Sequence, residues 1–379
     1  MKLLISVKRK IQKLLVGVIV SVSPKTRLSP PVQNWELKFE EFRNYISEHQ
    51  SAFPIRISKA DINEEGEEKY VGGVEITGAI KCAIPNTGRS VMCYNDDFTE
   101  INRVGTLSDG RFKWTGGGIY NDKVYGFPRA SNAILCYDYG KRELSEICLD
   151  TKYRKEHHYG GVLTETGMIY QPPRDTDHIL VIDLNTMKVR SVYLAPSFLR
   201  LKMRYCGSVY HPNGFIYFLP ERGARVIKFN PITEEYQYIG KVIKEAMVFG
   251  AVVAGDGNIY GYGSHKGLIK IDVYSESVEM LFEHLYFGCY GSKLGINGKI
   301  YGIPGDGDEF WEYDIKNNNV RSCGRYPSKV RAKCAGGFTA KNGDIYMTPA
   351  FGSEICVLRF GMNEEIPSKI YAKYFIDNY

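Results

Sequence analysis

Positively charged side chains recur at two kinds of position along this chain of 379 residues. Some stand directly before a glycine-containing apolar segment, and others follow a proline that ends a second apolar segment. Arg and Lys bind carboxylate and phosphate groups, and Arg does so through two parallel hydrogen bonds. The candidate ligand-binding residues are Lys113, Arg129, His158, Arg174, Arg204, Arg222, Lys266 and Lys333.

Three histidines, His157, His158 and His265, are weak candidates for catalysis, because imidazole can exchange protons or bind a metal near neutral pH. Adjacent strand residues point to opposite faces, so only one of His157 and His158 can enter a shared site. The alternative is that they are ordinary loop histidines. The sequence has no HExxH, GxSxG or P-loop spacing. No catalytic residue is therefore assigned, and we predict no metal and no cofactor.

A repeat of about 44 residues positions these side chains from Tyr70 onward. Each copy begins with a glycine-containing strand, and most continue through an Asn-Gly or Asp-Gly type of turn into a second strand that ends at proline. A third strand closed by Asn or Asp and a fourth, more polar strand complete the unit. Such turns join antiparallel neighbours, and proline ends a strand because it has no backbone donor. The aligned glycines are Gly73, Gly117, Gly161, Gly207, Gly250, Gly291 and Gly336.

Seven such copies predict an all-β chain that forms a seven-bladed β-propeller with four-stranded antiparallel blades, preceded by an N-terminal helical extension. The propeller is expected to span residues 70–379. In such blades, the loop between the second and third strands opens on the same face as the link into the next blade. The candidate cations would then share one rim around the central channel. The last copy lacks a regular fourth strand, and either residues 369–375 or residues 54–58 could supply it.

Two repeat families share parts of this pattern. The Gly-Gly, Ile-Tyr and Tyr/Ile-Asp elements resemble kelch-type repeats, and the Asn-Gly-x-Ile-Tyr and Val-x-x-Ile-Asp rhythm resembles streptogramin-lyase-like propellers. The resemblance covers residues 70–360 at the level of the repeat. The chain departs from kelch repeats because proline stands where the second strand would end in Gly-Gly, and the fourth strand lacks the usual Trp. The resemblance implies a propeller fold and carries no functional residue across.

The segment before the repeats divides into two parts. Residues 1–24 are basic and amphipathic, with an apolar run, Leu14 to Val20, far too short to span a bilayer. A helix on an anionic membrane surface, a secretion signal and a plain tail all remain open. Residues 25–69 are predicted to be a linker with one amphipathic helix over residues 35–49, for which Asn34 is the N-cap candidate. The stretch 59–69 is acidic and polar.

Composition limits the compartment and the partners. The net charge of +6 is too small to indicate nucleic-acid binding. The nine cysteines show no zinc-site spacing, which favours buried free thiols in a reducing compartment over a disulfide framework. We expect a cytoplasmic monomer, peripheral on the membrane through residues 1–24, with secretion as the alternative.

Two hypotheses of function follow from the predicted rim. The first is a non-catalytic binding or scaffold propeller whose basic, aromatic-containing face binds an anionic small molecule, glycan or protein. Aromatic residues next to the inner strands, such as Tyr159 and Phe249, add flat surfaces to this face. The alternative is a propeller enzyme, a metal-assisted lyase or hydrolase that acts on a glycan or another anionic small molecule.

Overall fold

The computed structural model describes residues 27–54, 56–64, 66–149, 158–194, 204–245, 247–326 and 330–375. In this part of the chain, seven four-stranded antiparallel sheets form the blades of the predicted propeller. In chain order, blade one has β2 Tyr70–Thr77, β3 Ile80–Pro85, β4 Val91–Tyr94 and β5 Ile101–Val104; blade two has β6 Trp114–Tyr120, β7 Lys123–Pro128, β8 Ala133–Asp138 and β9 Glu143–Cys148; blade three has β10 Val162–Leu163, β11 Met168–Gln171, β12 His178–Asp183 and β13 Lys188–Tyr193. Blade four has β14 Tyr205–Tyr210, β15 Ile216–Pro220, β16 Ala224–Phe229 and β17 Tyr236–Ile243; blade five has β18 Val252–Val253, β19 Ile259–Tyr262, β20 Lys266–Asp272 and β21 Ser277–Tyr286; blade six has β22 Cys289–Leu294, β23 Ile300–Pro304, β24 Glu309–Asp314 and β25 Asn319–Arg325.

The seventh blade is completed by the N-terminal side of the chain. It contains β26 Cys334–Thr339, β27 Ile345–Pro349 and β28 Glu354–Arg359, and its outer strand is β1, Arg56–Asp61. Strand β1 pairs antiparallel with β28 over its full length. Strand β1 overlaps the segment 54–58, one of the two candidates for this strand in the sequence analysis, whereas residues 59–61 had been assigned to the acidic linker stretch. The pairing closes the ring between two distant parts of the chain.

A bulge near the start of the inner strand sets its register in five blades. In blade four, Tyr205 pairs with Pro220 and Ser208 with Phe218, so one extra residue is accommodated between them. Gly207 lies in this bulge with φ of 73°, a left-handed conformation that favours glycine. A Cβ there would stand 2.3 Å from the carbonyl oxygen of Phe249. Glycine is therefore required because neighbouring inner strands touch at this point.

A series of backbone hydrogen bonds runs around one mouth of the channel, in which bonds within a blade alternate with bonds to the neighbouring blade, and we call it the inter-blade amide chain. Its members are the residue before each inner strand and the residue after the second strand. The donor–acceptor pairs are Asn86–Lys69, Lys113–Asn86, Arg129–Lys113, Arg204–Arg174, Glu221–Arg204, Met247–Glu221, Ser264–Met247, Lys333–Gly305, Ala350–Lys333 and Lys69–Ala350, with N to O distances of 2.6 to 3.2 Å. These bonds provide acceptors for backbone amides that form no hydrogen bond within a sheet. One of them crosses the joint between blades seven and one.

Two helices cover much of the opposite face, which we call the cap face. Helix α1, Trp35–Glu48, confirms the predicted N-terminal helix, although the Asn34 side chain makes no capping hydrogen bond. Helix α2 begins as Ser368–Ile370 and continues as a π-helical turn, Tyr371–Phe375, so residues 369–375 do not form a strand. The helices meet where Phe42 stacks on Tyr374 at 4.4 Å. Among the described residues, no helix is long and apolar enough to cross a bilayer.

The predicted membrane-surface segment, residues 1–24, lies outside the described residues. All nine cysteines are free in the structure, and seven of them are buried. Burial agrees with the sequence-based expectation of thiols packed inside strands.

His211 joins helix α1 to the cap-face turns. Its ring is buried, its Nε2 donates to the carbonyl of Gly257 at 2.9 Å, and its Nδ1 accepts from the amide of Asn213 at 3.0 Å. Trp35 packs edge-on against the ring at 4.8 Å. Burial lowers the pKa of His211 to about 4, although the hydrogen bond to the Gly257 carbonyl acts in the opposite direction. The fold therefore uses the neutral imidazole.

We predict that His211 makes the protein less stable in mild acid. Between the usual pKa of about 6.5 and the folded value of about 4, the unfolded chain binds a proton that the folded protein excludes. The free energy of unfolding should fall by up to about 1.4 kcal/mol per pH unit through this window as pH decreases. Urea unfolding at several pH values would measure the slope, and His211→Gln should make it shallower. An identical slope in both proteins would contradict the role of this ring.

Candidate functional site

The channel mouth on the predicted rim is filled with side chains. We call this side the rim face, since it bears the loops between second and third strands. Buried Tyr159 and Phe249 pack at 5.3 Å between ring centres, and Phe249 packs against Tyr290 at 5.0 Å. Val71 and Cys206 are buried in the same cluster. The inner strands thus close this mouth with an apolar plug, and the rim cations surround a closed centre.

Four cations of the rim hold the loop of the preceding blade. Lys69, Lys113, Arg204 and Lys333 occupy the same place directly before an inner strand, and all four are buried. The Nζ of Lys113 donates to the carbonyl of Gly88 at 3.0 Å and to that of Ser108 at 2.8 Å. The equivalent bonds run from Lys69 to Phe351, from Arg204 to Thr176, and from Lys333 to Gly305 and Gly307, at 3.3 to 3.4 Å.

These bonds show what the recurring cation does in the fold. Each donor belongs to one blade, and the acceptors lie in the loop after the second strand of the blade before it, except Ser108, which lies in the link from blade one to blade two. Burial lowers the pKa of Lys113, an effect that nearby Glu146 and Asp109 oppose. The carbonyl oxygens therefore stand where water would otherwise solvate the charge. Three of the predicted ligand-binding residues, Lys113, Arg204 and Lys333, form such inter-blade contacts.

Arg129 and Arg174 flank Tyr159 at the plug. Their guanidinium carbons lie 4.7 Å and 5.0 Å from the centre of its ring. Arg174 forms two hydrogen bonds to Glu221 across blades three and four, at 2.8 and 2.9 Å, and Glu221 is fully buried. Arg129 pairs with Glu68 at 2.9 Å. Both arginines have internal carboxylate partners.

The acidic stretch before blade one supplies part of this neutralisation. It was assigned to a linker from the sequence, but it leads from β1 into β2 and crosses the rim face. Glu64 pairs with Arg103 at 3.1 Å, and Glu67 pairs with Arg111. Glu68 pairs with Arg129, which was predicted as a rim cation, whereas Arg103 and Arg111 were not among the predicted residues. The charge on this face is therefore much more balanced than the loop sequences indicate.

The candidate catalytic histidines do not assemble a recognisable centre in the described residues. His158 is buried, and its Nδ1 donates to the carbonyl of Pro172 at 2.9 Å. His265 is exposed in blade five and bonds Ser264 at 3.0 Å. His157 lies outside the described residues. Within the part of the chain that the structure describes, no group of three His, Cys, Asp or Glu side chains could hold a metal ion.

The two remaining predicted residues, Arg222 and Lys266, are exposed at the joint between blades four and five. Among the described residues, neither has a carboxylate within ion-pair distance. Lys266 pairs with Tyr286 across β20 and β21, and the amide of Gly223 bonds the carbonyl of Lys244 at 3.2 Å. In both blades, a β-bulge interrupts the pairing of the third and fourth strands, and these contacts lie past the bulge. The outer strands β17 and β21 continue there beyond the regular part of the blade.

The extended strands border a cavity of about 400 Å³ that we call the blade 4–5 groove. Its lining residues are Lys241, Val242, Ile243, Lys244, Glu245, His265, Lys266, Met280, Glu283 and Tyr286. Tyr286 and Val242 are about half exposed, at 52% and 51%. Sequence reasoning missed Lys241, Lys244 and Tyr286 because it considered loops and inner strands. The unusual length of the fourth strands, 8 and 10 residues, is the signal that could have found them.

We predict that the Arg174–Glu221 pair supports the folded state. Glu221→Gln would leave the buried Arg174 charge without its carboxylate, which should cost about 3 kcal/mol of unfolding free energy in chemical denaturation. The matched control is Glu309→Gln, which removes one of two carboxylates near Arg325, 71% exposed, and should cost less than about 1 kcal/mol. Equal stability of the two variants would show that the mouth arginines do not depend on their internal partners.

No protein-family model matches this sequence, and no curated protein matches it. The structure is similar to a streptogramin B lyase, with a TM-score of 0.67 and 11% identity over 81% of this chain and 99% of that chain. It is also similar to a catalytically inactive virginiamycin B lyase from Staphylococcus aureus with quinupristin, with a TM-score of 0.66 and 13% identity over 80% and 98% of the two chains.

A third similar structure is the extracellular domain of a protein from B. thetaiotaomicron described as a one-component system. The TM-score is 0.63 at 11% identity, over 81% of this chain and 40% of that chain. Identities this low show the fold alone. The chain is a seven-bladed β-propeller that resembles streptogramin-lyase-like propellers at the level of its repeats.

Proposed function

We propose that this protein is a non-catalytic binding propeller that recognises an anionic glycan in the blade 4–5 groove. The proposal rests on one difference among the cations of this face, which is whether the protein itself supplies their binding partner. Most of them bind carbonyls or carboxylates of the protein itself, whereas Lys244 and Lys266 are exposed and have no described carboxylate partner. A cation that is still solvated can exchange water for a ligand without breaking a structural contact.

The groove combines charge with a flat apolar surface. Lys241, Lys244 and Lys266 supply three positive charges along its walls, and Arg222 lies beside them in the adjacent loop. Tyr286 offers an exposed ring, and aromatic rings pack well against the faces of other rings. A sugar ring that carries a carboxylate presents both matching features.

Two carboxylates narrow the choice of ligand. Glu245 and Glu283 also line the groove, so the local excess of positive charge is small. A highly charged polymer such as nucleic acid would be repelled by these groups at close range. An acidic saccharide with one carboxylate per ring fits better, because its hydroxyl groups can donate to Glu245 and Glu283. Specificity would then come from hydrogen bonds, and the lysines would raise the rate of association.

At other joints, a buried Lys or Arg side chain bonds the loop of the preceding blade, and we call this contact a clamp. The joint between blades four and five lacks such a clamp, which suits binding. Met247 stands at the position that Lys113 and Lys333 occupy elsewhere, so no cation clamps the loop of the preceding blade here. The exposed lysines come instead from β17 and β21, at the outer edge. The groove can therefore accept a ligand without disturbing the amide chain.

We predict that the wild-type protein binds oligogalacturonate, a chain of acidic sugar rings, and binds its methyl ester much more weakly. Lys244→Gln combined with Lys266→Gln should weaken binding about fivefold, since two exposed ion pairs are lost. Isothermal titration calorimetry at low salt would measure the affinities, and added salt should weaken wild-type binding.

The matched control is Lys141→Gln combined with Lys316→Gln, which makes the same change in net charge at two exposed turns of the cap face. This control should bind like the wild type. Equal affinity of both double variants would contradict the proposed groove. Cleavage of the saccharide during the assay would contradict a non-catalytic function.

A further inference from the structure

We propose a second binding site, where the central channel opens on the cap face, for a small neutral molecule with a cyclic apolar body and a carbonyl or hydroxyl group. A cavity of about 640 Å³ lies there between the inner strands of blades two to five and helix α2. This volume is within the range of small-molecule sites, roughly 300 to 1,000 Å³. The site is on the opposite face from the groove, so it does not rest on the proposed function.

The inner wall of the cavity is aliphatic. Leu163, Val209, Val252 and Val253 line it from three successive blades, and each is more than 90% buried. An apolar wall that faces open space is stabilised when an apolar ligand displaces water from it. The body of the ligand is therefore expected to be apolar.

One buried polar group in this wall has no partner. Ser208 is 1% exposed, lines the cavity, and its hydroxyl makes no hydrogen bond within the described residues. A buried hydroxyl normally finds a partner, because leaving it unpaired is costly. The hydroxyl itself is covered, so a ligand carbonyl or hydroxyl in the cavity would complete the missing bond once the Ser208 side chain turns toward it.

The charges at this site explain why the ligand should be neutral. Glu165 and Lys373 are the charged residues among those that line the cavity, and both are exposed near its mouth. His211 also contributes to the lining, and both ring nitrogens are occupied by protein hydrogen bonds. A charged group deep in the cavity would lose its water without meeting an opposite charge.

Aromatic rings border the entrance and favour a cyclic ligand. Tyr210 is 37% exposed, and the Tyr120 hydroxyl is fixed by a 2.7 Å hydrogen bond to Asn185. Tyr374 comes from helix α2 and is held by stacking on Phe42 of helix α1. The entrance is therefore formed by rings whose positions are set by the protein.

The site can be tested with prodan, a neutral naphthalene ketone whose emission shifts to shorter wavelength in apolar surroundings. Wild-type protein should show saturable one-site binding. Ala372→Trp places a large side chain at the cavity from an exposed position on helix α2 and should weaken binding more than tenfold. Ser208→Ala should weaken binding about fivefold through loss of one hydrogen bond.

The matched control is Lys369→Trp, on the same helix but outside the cavity lining, which should bind prodan like the wild type. A far-ultraviolet circular dichroism spectrum and a urea unfolding midpoint of Ala372→Trp like those of the wild type would show that the ring is folded. Equal prodan affinity in Ala372→Trp and Lys369→Trp would overturn the proposal.

Discussion

The inter-blade amide chain is the constraint on which the other features of the rim face depend. An amide buried at the joint between two blades must find an acceptor, and the neighbouring blade supplies it. The same residues that carry these amides, Lys69, Lys113, Arg204 and Lys333, extend their side chains over the loop of the preceding blade. A cation at this position thus fastens two blades twice, once through its backbone and once through its side chain.

This double attachment explains why a row of positive charge need not be a binding surface. Most rim cations already bind groups of the protein itself. Some bond carbonyl groups of the preceding blade, Arg174 pairs with Glu221, and Arg129 pairs with Glu68 in the acidic segment before β2. The exposed cations Lys244 and Lys266 lie at the joint between blades four and five, where Met247 stands in place of a clamping cation. The plugged mouth on the rim face and the partly open channel on the cap face then divide the molecule into two different kinds of surface.

The repeat made the architecture predictable, because its turns, prolines and strand ends recur in most copies. The sequence analysis also assigned Lys113, Arg204 and Lys333 to one face, and in the structure all three contact the loop of the preceding blade. It did not reveal their contacts, since a cation that binds a carbonyl and a cation that binds a ligand have the same local sequence. The sequence did not place the acidic stretch on the rim face, because β1 does not resemble any strand of the repeat. Its pairing with β28 joins residues far apart in the chain. The glycine alignment was one residue out of register in several copies, because the bulge glycine, such as Gly207, precedes the paired residue.

An anionic ligand that binds at the blade 4–5 groove should leave the cations that join neighbouring blades bound to their internal partners. A crystal structure of the protein with oligogalacturonate tests this most directly. Saccharide density is expected against Lys244, Lys266 and Tyr286, with the Arg174–Glu221 pair intact. Density at the channel mouth, with Arg174 or Lys333 turned from its internal partner to the saccharide, would contradict it.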